Sequence, residues 1–122
     1  FDVPLTFEGT RAIGGSLGSG VIMVFDDTAN MPDILLRIAA FFRDESCGQC
    51  VPCRVGTVRQ QEALRRLASG QPLGTVAGEL QLIDDVGMVM REASICGLGQ
   101  TAANAIQSGI AKLHLFQNGN LR

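Results

Sequence analysis

The chain has no tryptophan and no tyrosine, a single histidine, and few charged residues, 18% of its 122 positions. Its net charge of −2 gives no electrostatic reason to expect nucleic acid or an anionic membrane as partner. Long hydrophobic runs are missing too. The most apolar stretch, Val21 to Phe25, is far too short to cross a bilayer, so no direct membrane insertion is expected. The opening Phe1-Asp2-Val3-Pro4-Leu5 has no basic region followed by an apolar one, so no secretory signal is visible and a cytoplasmic location is expected. An initial methionine is also missing, which suggests a start partway through a longer polypeptide. What the chain does have is apolar material, 46% of residues, enough for the core of one ordinary domain or of a small domain plus part of another.

Residues 1–30 read differently from the rest. Gly14, Gly15, Gly18 and Gly20 crowd together, and Val21-Ile22-Met23-Val24-Phe25 follows, ended by Asp26-Asp27. A β-branched and aromatic run between glycine and aspartate punctuation predicts a buried strand, whose partners lie outside the chain. From residue 31 the period becomes helical. Pro32 and Asp33 suit a helix start, and Ile34, Leu35, Ile38, Phe41 and Phe42 recur on one face, predicting a helix over 32–45. A second helix is expected from about Cys53 to Leu67 or Ala68, with Arg65 and Arg66 in its last turn and Gly70 as the stop. A third spans about 75–93, with Val76, Leu80, Ile83 and Met90 as its apolar stripe. Cys96-Gly97-Leu98-Gly99 breaks the pattern, a fourth helix covers about 100–112, and Asn118-Gly119-Asn120 reads as a frayed end. Four helices with short connections predict an up-down bundle over 31–122, in a mainly α chain. In that topology the first and third connections share one end.

Those two connections carry all four cysteines. Cys47, Cys50 and Cys53 stand at steps of three, and Cys96 follows 43 residues after Cys53, about the length of one helix down and another back. Three thiolates on one tight loop can each reach a different iron of a [4Fe–4S] cubane, and the fourth iron needs a distant ligand. Gly48 can take a positive φ and let the backbone approach a sulfide. Pro52 is expected to hold Val51 extended and stiffen the loop. Cys53 at a predicted helix start and Cys96 just before another would turn two positive helix ends toward a negatively charged cluster, and Arg54 stands beside it. A four-cysteine zinc site has the same ligand count, but its usual form is two separated Cys-x-x-Cys knuckles. Disulfides within the seven-residue loop would be strained. A thioredoxin-like pair lacks its βαβ surroundings. The ferredoxin spacing fails because Thr57 stands where its fourth cysteine would be.

Glu45-Ser46-Cys47-Gly48-Gln49-Cys50-Val51-Pro52-Cys53-Arg54, then Gly56-Thr57 and Ile95-Cys96-Gly97-Leu98-Gly99, resembles the C-terminal part of the NADH-binding flavoprotein subunit of respiratory complex I. The same module occurs in diaphorase subunits of NAD-reducing hydrogenases and beta subunits of NAD-dependent formate dehydrogenases. Leu17-Gly18-Ser19-Gly20 and Asp26-Asp27 resemble the end of the ubiquitin-like (SLBB-type) domain that precedes the bundle in that family, which implies a boundary near residue 30. The resemblance implies an electron relay. NADH reduces FMN in an earlier domain of the parent chain, and a [4Fe–4S] cluster on Cys47, Cys50, Cys53 and Cys96 passes electrons singly to other iron–sulfur subunits. FMN and NAD belong to that missing domain, and no residue here is assigned to them. Complex I members usually read Cys-Arg-Glu-Gly-Thr-Gly-Trp where this chain has Cys53-Arg54-Val55-Gly56-Thr57-Val58-Arg59, which leans the reading toward a formate dehydrogenase. Complex I, an NAD-reducing hydrogenase and a non-redox structural zinc domain stay open as alternatives.

Other residues are set aside. His114 reads as a surface or half-buried helix residue. Gly15, Gly18 and Gly20 precede the strand run, the reverse of a dinucleotide-binding order, and read as a turn. Asp84-Asp85 reads as a solvated helix face, and Met88 and Met90 as core filler.

Overall fold

The computed structural model describes residues 2–18 and 20–116. Among them it is helical without strands: α1 (Phe7–Ala12), α2 (Met31–Asp44), α3 (Val51–Ala68), α4 (Val76–Ala93), α5 (Gly97–Thr101) and α6 (Asn104–Leu113). The predicted frayed end at 118–120 lies outside the described residues.

Three helices stand within two residues of expectation, for legible reasons. Asn30 accepts the Asp33 N–H to start α2, with Pro32 in the first turn where a missing N–H costs nothing. Thr75 caps α4 through the Gly78 N–H at 3.0 Å. Gly70, at φ +67°, ends α3 as predicted. Two expectations need correction. The fourth helix is not continuous: α5 begins directly after Cys96, and the backbone breaks at Ala102 and Ala103 before α6. The Val21–Phe25 run is not a strand. It is exposed along its length, Val24 at 89%, with no neighbouring strand among the described residues to bond its backbone. The glycine turn before it is real, with Gly14, Gly18 and Gly20 all at positive φ. No periodicity announces α1, a six-residue helix capped by Thr6 that buries nothing.

Helices α2, α3, α4 and α6 form a closed ring, each packed on two neighbours, in the up-down order expected. Near its middle, Leu35 of α2 packs against Gly109 of α6, where a Cβ would come within 2.9 Å of a leucine methyl. Gly56 of α3 lies under Met90 of α4, and Gly87 of α4 under Ala103 and Gln107, so small residues set the helix spacing. The main core joins Leu35, Ala39, Ala63, Leu64, Leu67, Ile83, Ile106 and Ile110. After α6, His114 and Phe116 take left-handed backbone (φ 52° and 63°), which turns Leu115 and Phe116 back under the bundle. A second, smaller cluster, Met90 with Ala102 and Ala103, lies toward the cysteines. Phe41, expected on the apolar face, is 56% exposed; α2 buries Leu35, as expected, together with Ala39.

The α3–α4 end carries a feature the sequence did not announce. Arg66 donates to both carboxylate oxygens of Glu79 at 2.6 and 2.7 Å, and Leu73 N–H reaches Oε1 at 2.8 Å. This fork-to-fork pairing holds the Glu79 carboxyl below its ordinary value. No helix among the described residues is long and apolar enough to cross a membrane.

Candidate metal centre

At the other end of the ring, the connection 45–50 lies beside the segment 94–99, as the up-down order requires. Cys50 is the N-cap of α3, with extended backbone (φ −109°, ψ 141°), and its carbonyl accepts the Arg54 N–H at 3.0 Å. The helix therefore begins two residues earlier than predicted. Val51 and Pro52 are its first residues, and Val51 is not held extended: a proline in the first turn gives up no helical hydrogen bond, which outweighs the bias it imposes on its predecessor. Cys53, expected at the helix start, sits on its first turn and is 5% exposed. Cys96 caps α5 in the same extended form (φ −127°, ψ 167°). Cys47 and Cys96 are exposed, Cys50 half-buried, and all four thiols are free of disulfides.

Local bonds hold the loop open. Gly48 takes φ +75°, as its place between Cys47 and Cys50 predicted, and Arg54 Nη1 reaches back to the Gly48 carbonyl at 3.3 Å. Ser46 Oγ lies 3.2 Å from Cys53 Sγ, and Thr57 Oγ1 ties to the Cys53 carbonyl at 2.8 Å. The second segment is pinned in three ways. Gln100 Nε2 donates to the Ser94 carbonyl at 3.0 Å. Gln60, buried on α3, donates to the Ala102 carbonyl at 3.2 Å, at the break between α5 and α6. Gly99 is pressed against Cys53 and Ser94, so that a Cβ there would sit 2.9 Å from Cys53 Cβ.

At Cys50 the electrostatics favour thiolate. The backbone N–H groups of Ile95 and then of Cys53 face the Cys50 sulfur and lower its pKa, with a smaller contribution from the Ser94 hydroxyl. That hydroxyl makes no hydrogen bond of good geometry within the protein although it is buried. A negatively charged, sulfur-rich group fits this surrounding: it would meet N–H donors and give the Ser94 hydroxyl a well-aligned acceptor. A single metal ion fits less well. Zinc would need thiolates within about 4 Å of one another, given Zn–S bonds of about 2.3 Å. Among the described residues no three His, Cys, Asp or Glu side chains converge on such a point.

The residues set aside remain apart from the thiols. His114 caps α6, and Asp84 and Asp85 accept from Gln107 and Gln81 on an exposed face. Met90 is core, whereas Met88, expected there too, is half exposed. Sequence reasoning passed over Ser46, Ser94 and Gln60. Serine and glutamine carry no signal for such roles until burial and distance give them one.

Residues 33–115, more than half of the chain, match the family described as NADH-ubiquinone oxidoreductase-F iron-sulfur binding region. Over 106 residues the chain is 33% identical to an NADH-quinone oxidoreductase polypeptide of Rhizobium meliloti (strain 1021), covering 87% of this chain and 24% of that protein. It is 36% identical over 107 residues to the HndC polypeptide of the NADP-reducing hydrogenase of Solidesulfovibrio fructosivorans, covering 88% and 21%. Among solved structures it is similar to a chain of NAD+-reducing [NiFe]-hydrogenase in the H2-reduced state, with TM-score 0.71, 34% identity, and 82% and 17% coverage. The chain therefore spans about a quarter or less of the length of these relatives.

Proposed function

Because the chain belongs to the NADH-ubiquinone oxidoreductase-F iron-sulfur binding family, we propose that it is an electron-transfer module holding one [4Fe–4S] cluster on Cys47, Cys50, Cys53 and Cys96. The observation that carries this reading is the meeting of two distant connections around the thiols, with the Ile95 N–H facing the Cys50 sulfur and Gly99 packed on Cys53. When bound, the cluster supplies one-electron chemistry between a two-electron flavin and further iron–sulfur centres. The protein's own part is positional. Cys50 and Cys96 begin helices whose free N–H groups favour negative charge, and the Gly48 turn lets the loop wrap closely. Gln60 and Gln100 fix the segment that carries Cys96.

The parent polypeptide would be part of an NAD(P)-linked oxidoreductase, with FMN and the nicotinamide in an N-terminal domain and other iron–sulfur subunits as partners. Its setting would be cytoplasmic. Residues 1–30 would belong to the end of the ubiquitin-like domain and its linker, and residues 31–122 to the bundle. In such a chain Val21–Phe25 would find the strand partners it lacks here. The lean toward formate dehydrogenase rests on Val55, Val58 and Arg59 alone. The relatives bear quinone-reductase and hydrogenase names, so the broader class is the better supported one.

Anaerobic reconstitution tests the ligand set. The chain should take up iron and sulfide in the proportions of one cubane and show a reducible electron paramagnetic resonance (EPR) signal. Replacing any one of the four cysteines with serine should abolish or degrade that signal. Full iron and sulfide content in Cys96→Ser would remove Cys96 from the set, whereas a colourless chain with zinc and no sulfide would favour the structural zinc reading.

A further inference from the structure

We propose that the hydroxyls of Ser46 and Ser94, one from each cysteine-bearing segment, donate hydrogen bonds to the sulfurs of the cluster and hold its reduction potential up. The inference rests on the cluster reading above and concerns two residues outside the ligand set. Ser46 is fixed by distance. Its oxygen lies 3.2 Å from Cys53 Sγ and accepts the Gly48 N–H at 3.4 Å. A hydroxyl has one proton and two lone pairs. With Gly48 on a lone pair, and a ligating Cys53 having no proton to give, the Ser46 proton points to sulfur.

Ser94 is fixed by elimination. The residue is 6% exposed, and its hydroxyl makes no hydrogen bond of good geometry within the protein, lying only loosely toward the Cys50 sulfur. Leaving such a group unpaired costs about 1–3 kcal/mol, so a persistent orphan implies a partner supplied from elsewhere. Its surroundings name that partner. Gly99, with no side chain, lets Ser94 Oγ and Cys53 Cβ pack against the same point of α5, which brings the hydroxyl up beside the cysteine loop. Cys50 flanks the same hydroxyl, and both cysteines are proposed ligands. The chemistry that would complete Ser94 is therefore a sulfur acceptor bearing negative charge.

The sign follows from charge. One-electron reduction adds a negative charge that is shared with the sulfurs, and hydrogen bonds to a charged acceptor are the stronger ones. Each hydroxyl therefore favours the reduced form, and removing it lowers the potential.

The test is an anaerobic redox titration, followed by EPR, of the cluster-loaded chain and of Ser46→Ala, Ser94→Ala, the double variant, Ser46→Thr and Ser94→Thr. Each alanine variant should lower the reduced-to-oxidised ratio at fixed potential by about tenfold, a shift of about 59 mV for one electron. The double variant should sum the two, and the threonine variants, which keep the hydroxyl, should keep the wild-type value. Pulsed hyperfine spectra in heavy water should show an exchangeable deuteron near the cluster that each alanine variant loses. Unchanged potentials in variants with full iron and sulfide would overturn the proposal while leaving the cluster reading intact. If an alanine variant cannot hold the cluster, the threonine variant at that position decides: a wild-type potential supports the hydroxyl, a lowered one overturns it. A wild-type chain that binds zinc without sulfide overturns the cluster reading and this proposal with it.

Discussion

At the α3–α4 end of the bundle the polar groups answer one another: Arg66 grips both oxygens of Glu79, and the Leu73 N–H takes up the carboxylate from the turn. At the thiol end they do not. Cys47 and Cys96 are exposed, the Ser94 hydroxyl is buried without a well-aligned partner, and backbone N–H groups face Cys50. Both ends belong to the same four helices, so the contrast is not one of fold quality. A buried polar group normally finds its partner within the chain. At the thiol end one buried hydroxyl, that of Ser94, falls short of this, beside the loop that carries the cysteines.

Separate perturbation of the two ends would sharpen that contrast or break it. The largest expected effect lies at the finished end. Glu79→Ala leaves Arg66 unanswered and should cost about 3 kcal/mol in chemical denaturation, the low end for breaking a buried pair because Arg66 is still 24% exposed. The cluster signal should survive. Its disappearance would mean that the two ends are one cooperative unit. The same pair predicts an acid response. Because the folded Glu79 pKa is lowered from 4.5, its stabilisation is complete above that pH and fades as pH falls through the folded value. Denaturation midpoints of Glu79→Gln, which keeps the shape but cannot titrate, should lose that part of the acid slope.

Gly99→Ala comes next, at the unfinished end. The added methyl meets Cys53 and Ser94 and should push α5 outward, costing about 1–3 kcal/mol of overpacking. Iron content should fall with it, because α5 carries Cys96 at its start. A fully loaded variant would show that α5 gives way more easily than its packing indicates. The smallest effect is reserved for Arg54→Gln. Arg54 is exposed and touches the loop only through the Gly48 carbonyl, so water screens its charge. Redox titration should show a downward shift smaller than that of either serine-to-alanine variant. No shift at all would leave Arg54 a loop fastener and nothing more.

What could be read from the sequence was whatever local chemistry decides. Pro32, Asp33, Gly70 and the apolar stripe of α4 mark three helices because caps, breakers and period act within a few residues. The cysteine spacing and the up-down order together predicted the meeting of loops 46–53 and 94–99. The division between α5 and α6 could not be read, since Ala102 and Ala103 are good helix formers and the break is braced from outside by Gln60 of α3. Val21–Phe25 shows the converse limit. Its pattern is that of a strand, but a strand exists only where another backbone meets it. Ser46 is an ordinary loop serine until its distance to the Cys53 sulfur is known, and Ser94 until its burial is.

The closed ring of helices has a consequence for how such a unit travels between proteins. Met31, where the chain joins the ring, lines the same cleft as Leu113 and Leu115, where it leaves. Both attachments are therefore made at the side remote from the thiols, like the two prongs of a plug. A longer polypeptide can receive the bundle as a cassette without threading anything past the cysteines, and neither attachment crosses the thiol face. Joining residue 116 to residue 31 by a short linker and opening the chain in the 69–75 turn should give a permuted bundle with its four cysteines undisturbed.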